Sequence, residues 1–378
     1  MRRFIFVVTG LVFLPFNSFS QDCRGGQIQT NEAFLYGRFE TSMKSAQGNG
    51  VVSSFFLYNV DLGCNWPEEN NEIDIEMTGN DTSQVIFTTH YPGPWYHSDY
   101  WEANFNPHAE FHDYAIEWEP GVVRWFVDGE LVNVQDQGFV QDLIHPQRLM
   151  MNLWAAEAVD WVGEWDPSIL PLQSEYEYVR VYEYTPGSGD YGTNDNFTLL
   201  FDDHFEEIQE EIWSTNEFGG FNGNYCTFRN SNVEISDGML FLHITEEIES
   251  PELIPVTFSV DVTFADFSET DVVNLNGGFN NWCGQCNSMT ELDDNVWTLT
   301  LLLSPGKHEY LFTKNFWEEN GGAPLNSDCD YQPCDEYHNY GFVLDEGSDP
   351  LILETVCWGE CSICSEVSAS GCTYSEAC

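Results

Sequence analysis

The chain has 378 residues, enough for two or three domains, and its 42% hydrophobic content with 13 Trp, 17 Tyr and 28 Phe argues for folded, β-rich structure over disorder. A formal net charge of −52 excludes nucleic acid and anionic membranes as partners and disfavours acidic polysaccharides. A neutral glycan is the easier ligand.

Met1–Ser20 reads as a secretory signal, with Arg2 and Arg3 ahead of an apolar run from Phe4 to Phe16 and small residues near Ser18 and Ser20. That run is short for a membrane anchor, and no other stretch could span a bilayer. The twelve cysteines fit the oxidising compartment such a signal implies. Only Cys23, Cys64 and Cys226 lie in the first two thirds of the chain. Cys283/Cys286 and Cys361/Cys364 have the C-x-x-C spacing of half a zinc site. No paired histidines stand at ligand spacing, so disulfides are the better reading.

Residues 23–184 read as short strands separated by turn signals, with no long helical periodicity. Glu72-Ile73-Asp74-Ile75-Glu76 places three carboxylates at i, i+2 and i+4. On a β-strand all three project from one face, while Ile73 and Ile75 point to the other, into a core. Such a row of like charges adds nothing to a structural strand, although an exposed acidic strand in an acid-rich chain is the alternative. A glycosidase needs this pattern, one carboxylate ionised as nucleophile and one carboxyl protonated as acid. The spacing poses a tension. Positions four apart on a strand are about 13 Å apart at Cα, whereas retaining carboxyls stand about 5–5.5 Å apart. Side-chain lean and strand curvature have to close that gap.

Farther on, Asp128-Gly129 between two apolar runs is a hairpin signal. Thr185–Asp195 has the composition of a loop, and Glu246–Glu252 is an acidic joint. Alternation resumes at Val256, Phe258, Val260 and Val262, followed by Gly277-Gly278-Phe279-Asn280-Asn281-Trp282 and Gly306–Phe312. A cysteine-rich tail closes the chain.

Glu72–Glu76 resembles the E-x-D-x-E signature of glycoside hydrolase family 16. Tyr36–Glu40, Val51–Tyr58, Ile116-Glu117-Trp118, Val123–Gly129 and Met151–Trp154 resemble neighbouring segments of its bacterial 1,3-1,4-β-glucanases, or lichenases, in the family's order. The resemblance covers roughly residues 23–245 and implies an all-β fold, a concanavalin A-like jelly-roll β-sandwich. It also implies circular permutation: the family's usual last strand comes early, at Tyr176–Tyr184, and residues 201–242 look like its amino-terminal segment. The domains expected are a signal peptide at 1–20, the jelly roll at 21–247 with a new joint near 185–196, and a smaller immunoglobulin-like β-sandwich at 254–355. The last resembles early-set modules related to starch- and glycogen-binding domains, in which Trp282 and Trp297 either stack on sugars or fill the core. The tail at 356–378 resembles a truncated short repeat. A second, unrelated domain beginning near Asn196 is disfavoured, because about fifty residues with few strands could hardly bury a core.

By the same resemblance Glu72 is the nucleophile, Glu76 the general acid/base, and Asp74 the carboxylate that tunes both. Phe56, Tyr58, Asn152, Trp154 and Trp161 are the implied substrate contacts, with Glu164 and Trp165 near the groove. His90 is either a sugar contact or a partly buried histidine. Ile86 and Thr88 stand where lichenases commonly carry Gln and Asn. Arg229 is either a further groove contact or a surface arginine, the second being the better reading. Catalysis requires no cofactor, but a structural Ca2+ is implied, held by Glu177 and the carbonyls of His204 and Gly238, with oxygen ligands of the type calcium prefers. A Cys23–Cys226 disulfide is implied too, leaving Cys64 without an obvious partner.

The regular E-I-D-I-E spacing, lacking the extra residue of many β-1,3-glucanases, implies hydrolysis of mixed-linkage β-1,3-1,4-glucan. The expectation is a secreted, monomeric endo-glucanase acting on a neutral polysaccharide, with no nucleic-acid or membrane partner. A laminarinase of the same family is the alternative within enzymes. A non-catalytic glycan-binding protein is the alternative outside them.

Overall fold

The structure, a computed structural model, describes residues 23–60, 63–65, 67–221, 223–247, 251–293 and 295–364. The expected signal at 1–20 and the tail beyond residue 364 lie outside the described residues. The chain divides into two compact units. The first comprises the chain through Tyr58, Glu72–Thr89 and Tyr96–Glu247; the second comprises Asn59–Asn71, His90–Trp95 and the chain from Ile248.

In the first unit the strands are β1 (Cys23–Thr30), β2 (Gly37–Lys44), β3 (Val51–Tyr58), β4 (Glu72–Thr78), β5 (Gln84–Tyr91), β6 (Trp95–Glu102), β7 (His112–Glu119) and β8 (Val122–Val127). They continue with β9 (Glu130–Gln135), β10 (Arg148–Ala155), β11 (Leu172–Tyr184), β12 (Phe197–Asp203), β13 (Trp213–Thr215), β14 (Cys226–Phe228), β15 (Val233–Ser236) and β16 (Met239–Glu246). Hydrogen bonding runs β6-β5-β4-β3-β10-β1-β16-β11-β2-β7-β8-β9. This single sheet rolls into two layers of a jelly roll, joined where β1 pairs with β16 at Cys23 and Glu246. Strands β12 and β16 both pair with β11, so residues 197–246 complete the first unit and form no separate domain.

Period-2 alternation drives the layering. Phe55 and Leu57 of β3, Ile73, Ile75 and Met77 of β4, and Val85 and Phe87 of β5 are fully buried. They face Phe39, Met43, Ile116, Trp118 and Trp125 of the other layer, all equally buried. Each such side chain contributes about 1.5–3 kcal/mol by leaving water. The β8–β9 hairpin turns at Asp128 and Gly129, whose φ values of 50° and 78° are the left-handed pair a tight turn requires. The free edges of the two layers are clipped together by side chains. Asp99 of β6 accepts from Asn133 (3.1 Å) and Gln135 (3.0 Å) of β9, and Thr89 donates to Gln135 at 2.7 Å. Cys23 and Cys226 form a disulfide beside the β1–β14 pairing.

The loop after β11 is tied to the outer face of the sheet. Glu117, wholly buried, pairs with Arg38 at 2.6 Å, and the same carboxylate oxygen accepts the Thr193 amide at 3.0 Å. Arg38 also pairs with Glu40 and lies over the rings of Phe126 and Tyr191.

The second unit has β17 (Ile254–Asp261), β18 (Val273–Gly277), β19 (Thr290–Asp293), β20 (Val296–Leu303), β21 (Gly306–Lys314), β22 (Glu319–Gly321), β23 (Tyr340–Leu344), β24 (Leu351–Ile352) and β25 (Val356–Cys357). One sheet runs β19-β20-β17-β24 with β25 beside β17, and another runs β18-β21-β22 with β23 beside β21. Val256, Phe258 and Val260 of the first sheet share a core with Leu275 and Phe312 of the second. Trp297, partly buried, packs against this core, and Trp282 is half-buried. Cys64 does have a partner, Cys334. Cys283 pairs with Cys286, and Cys361 and Cys364 pair with Cys329 and Cys357, so neither C-x-x-C is left for zinc.

Candidate active site

The acidic triplet lies on β4 in continuous antiparallel register with β3, without a shift anywhere between Glu72 and Thr78. Tyr58 stands opposite Glu72, Phe56 opposite Asp74 and Ser54 opposite Glu76. Opposed residues share a face, so these three join the carboxylates on the side away from Ile73 and Ile75. Phe56, 7% exposed and so buried, shares this face with Asp74. Glu72 and Glu76 are half-buried and Asp74 is 3% exposed, so the middle carboxyl is the most sheltered from water.

The next strand extends the rows. Asn152 of β10 stands opposite Ser54 and Met150 opposite Phe56; Gln27 of β1 stands opposite Asn152. One row across the sheet therefore reads Glu76, Ser54, Asn152, Gln27. Asn152 Nδ2 donates to Gln27 Oε1 at 3.5 Å, while its buried Oδ1 has no protein partner among the described residues. The Tyr58 hydroxyl is pushed above its ordinary pKa, first by burial and then by the charge of Glu72, and so stays a neutral donor beside that carboxylate.

Trp154, one step along β10 on the same face, lies opposite Val52. Trp161, on the single helical turn α1 (Val159–Val162), comes to 6.1 Å from it between ring centroids. The structure adds Phe221, 46% exposed and edge-to-face with Trp154 at 4.7 Å. Phe221 lies in an irregular stretch where no periodicity could announce it. Trp165 packs against Gly50, and Glu164 is exposed. On β5, Phe87 and Thr89 turn to the core, Phe87 against Trp125 at 5.6 Å and Thr89 to Gln135. Strand alternation therefore sends Ile86 and Thr88 to the carboxylate face; His90, half-buried near the end of β5, belongs to the second unit.

Arg229 is not a surface residue. It is 8% exposed, stacked over Phe218 at 4.2 Å and ion-paired with Glu247 at 3.4 Å, an arrangement that ties segments within the first unit. Of the residues implied for calcium, the His204 carbonyl lies beside Gly238, 3.8 Å from where a Cβ would stand there. Glu177 sits exposed at a register shift of β11, its carboxylate accepting from Ser42 at 2.6 Å.

Residues 16–178 match the model of the glycosyl hydrolases family 16. The β-glucanase of Fibrobacter succinogenes is 36% identical over 247 residues, covering 64% of this chain and 69% of that protein. The β-glucanases of Brevibacillus brevis and Paenibacillus polymyxa are each 37% identical, over 171 and 161 residues (44% and 42% of this chain), and the chain spans 62% and 63% of their lengths. The solved Bacillus licheniformis β-glucanase is 33% identical, with 40% of this chain and 68% of that one aligned at a TM-score of 0.36. A strand bearing the E-x-D-x-E acids on an aromatic-lined face and a 36% identical relative covered over more than two thirds of its length lead to one statement: the chain is a glycoside hydrolase and belongs to glycosyl hydrolase family 16.

Proposed function

We propose that the protein is a secreted endo-β-1,3-1,4-glucanase that cuts β-1,4 bonds of mixed-linkage glucan by a retaining double displacement. The observation that carries this reading is the unbroken register of β4 through Glu72, Asp74 and Glu76, with no bulge between the acids. Glu76 protonates the glycosidic oxygen as Glu72 attacks the anomeric carbon; Glu76 then takes a proton from water, which releases the sugar from Glu72. Sheltered Asp74, between them on the same face, tunes both carboxyls through its charge. Tyr58 places a neutral hydroxyl opposite Glu72, Asn152 offers its Oδ1 to a sugar hydroxyl, and Phe56, Trp154 and Trp161 supply apolar ring faces.

Five disulfides among the described residues support an extracellular destination. A structural Ca2+ at the His204 and Gly238 carbonyls with Glu177 belongs to the same reading, and melting that ignores added chelator would remove it. The deciding experiment is reducing-sugar release from barley mixed-linkage glucan and from laminarin, with wild type and Glu72→Ala. Activity on the mixed-linkage polymer alone, abolished in the variant, is expected. Preference for laminarin would reassign the substrate, and glycan binding without hydrolysis would make the protein a lectin.

A further inference from the structure

We infer that edge strand β6 is an outer substrate-binding strip, in which Tyr96 and Tyr100 stack on a glucan chain running past the catalytic strand. The inference rests on the β-glucanase reading and extends it to two residues and a binding mode.

Two cross-strand contacts fix the pairing of β5 with β6. Thr88 Oγ1 lies 2.8 Å from Ser98 Oγ, and Gln84 Nε2 donates to Glu102 Oε1 at 3.2 Å. Both imply one register, in which Ile86 falls opposite Tyr100. Thr88, Ile86 and Gln84 share the face of the catalytic acids, because Val85, Phe87 and Thr89 are committed to the core. Tyr96, Ser98 and Tyr100 therefore stand on that face as well.

The opposite face of β6 is pinned. Asp99 is held by Asn133 and Gln135, and His97 lies 5.3 Å from the ring of Phe139. The two tyrosines nonetheless remain 65% and 60% exposed. A scattered exposed aromatic is ordinary. Two on one braced strand, continuous with the carboxylate face, form a rigid surface of amphipathic rings. They lie two strands from β4, roughly 10 Å away, and roughly 13 Å from each other along β6. That places them beside sugars beyond the scissile bond. Ile86 is 2% exposed and offers no hydrogen bond, so recognition here is by stacking on ring faces. A protein of formal charge −52 directs such a surface to a neutral chain.

The test is kcat/KM on mixed-linkage oligosaccharides of increasing length, for wild type, Tyr96→Ala, Tyr100→Ala, the double variant, and Tyr96→Phe/Tyr100→Phe. The double alanine variant is expected to lower the ratio of kcat/KM on the longest to the shortest cleaved substrate about three- to tenfold, and the phenylalanine pair to preserve it. Should the double variant fail to fold, the single variants carry the same comparison. An unchanged ratio, or a phenylalanine pair as poor as the alanines, overturns the inference. Wild type that cleaves no β-glucan overturns instead the reading it rests on.

Discussion

The indole Nε1–H of Trp125 donates a 3.0 Å hydrogen bond across the core to the main-chain carbonyl of Asp74. A second such bond runs from the Tyr176 hydroxyl to the carbonyl of Ser54 at 3.2 Å, and Ser54 is the residue opposite Glu76. The strands that present the carboxylates are thus held from behind by polar groups of the other layer, where apolar contact alone would allow sliding. Positioning of this kind is how a scaffold keeps reacting groups in register.

Trp125→Phe keeps an aromatic ring in the core and removes the donor together with the five-membered part of the indole. Unfolding in urea should show a loss of about 1–3 kcal/mol, the typical consequence of unpairing a buried polar group. Unchanged stability would mean that the Asp74 carbonyl gains nothing from the indole.

Trp154→Ala should raise KM for the polymeric substrate about tenfold, since it removes the ring on which both Trp161 and Phe221 rest. Phe221→Ala should raise it less, because Phe221 touches Trp154 only edge to face. Initial rates across a range of polymer concentrations separate the two. A larger effect from Phe221 would identify it as the primary sugar contact.

His108 provides a pH dependence. Burial holds its imidazole below the ordinary value of 6.5, while its ring nitrogens meet the Asp81 carbonyl and Ser45 Oγ, each at 2.8 Å. The unfolded chain therefore takes up the proton more readily than the folded one. The stability due to neutral His108 is complete above pH 6.5 and declines as pH falls toward the folded value. Urea midpoints between pH 7.5 and 5.5, roughly a unit to either side of the ordinary histidine value, should fall more steeply for wild type than for His108→Gln. Parallel slopes would exclude this histidine as the cause.

The alternation of the triplet made strand β4 and both of its faces legible, because parity along a strand is a local property. The Asp128-Gly129 hairpin was legible for the same reason. Contacts between distant segments were not. Cys64 finds Cys334 across 270 positions, and Arg229 is buried by Glu247 and by Phe218, none of which leaves a periodic trace. Tyr96 and Tyr100 show the intermediate case. They drew no notice in the sequence, because the face they occupy depends on which side of β6 meets β9.

The Cys23–Cys226 bridge joins two strands of the first unit that lie 203 positions apart in the chain. Replacing both cysteines by serine should cost about 2–5 kcal/mol, read as a lower melting temperature under non-reducing conditions. Equal melting temperatures would show that the β1–β14 pairing holds without the bond.

The tie between Glu117 and Thr193 gives the segment between β11 and β12 two halves of opposite character. Gly192 has φ +69°, and a Cβ there would come within 2.6 Å of Glu117 Oε1, so this half is part of the folded body. At Gly187 a Cβ would meet nothing within 4 Å. A protein engineer seeking a place to graft a peptide, a tag or a second enzyme would therefore find a docking port beside Gly187, and a few residues later a structural rivet that should be left alone.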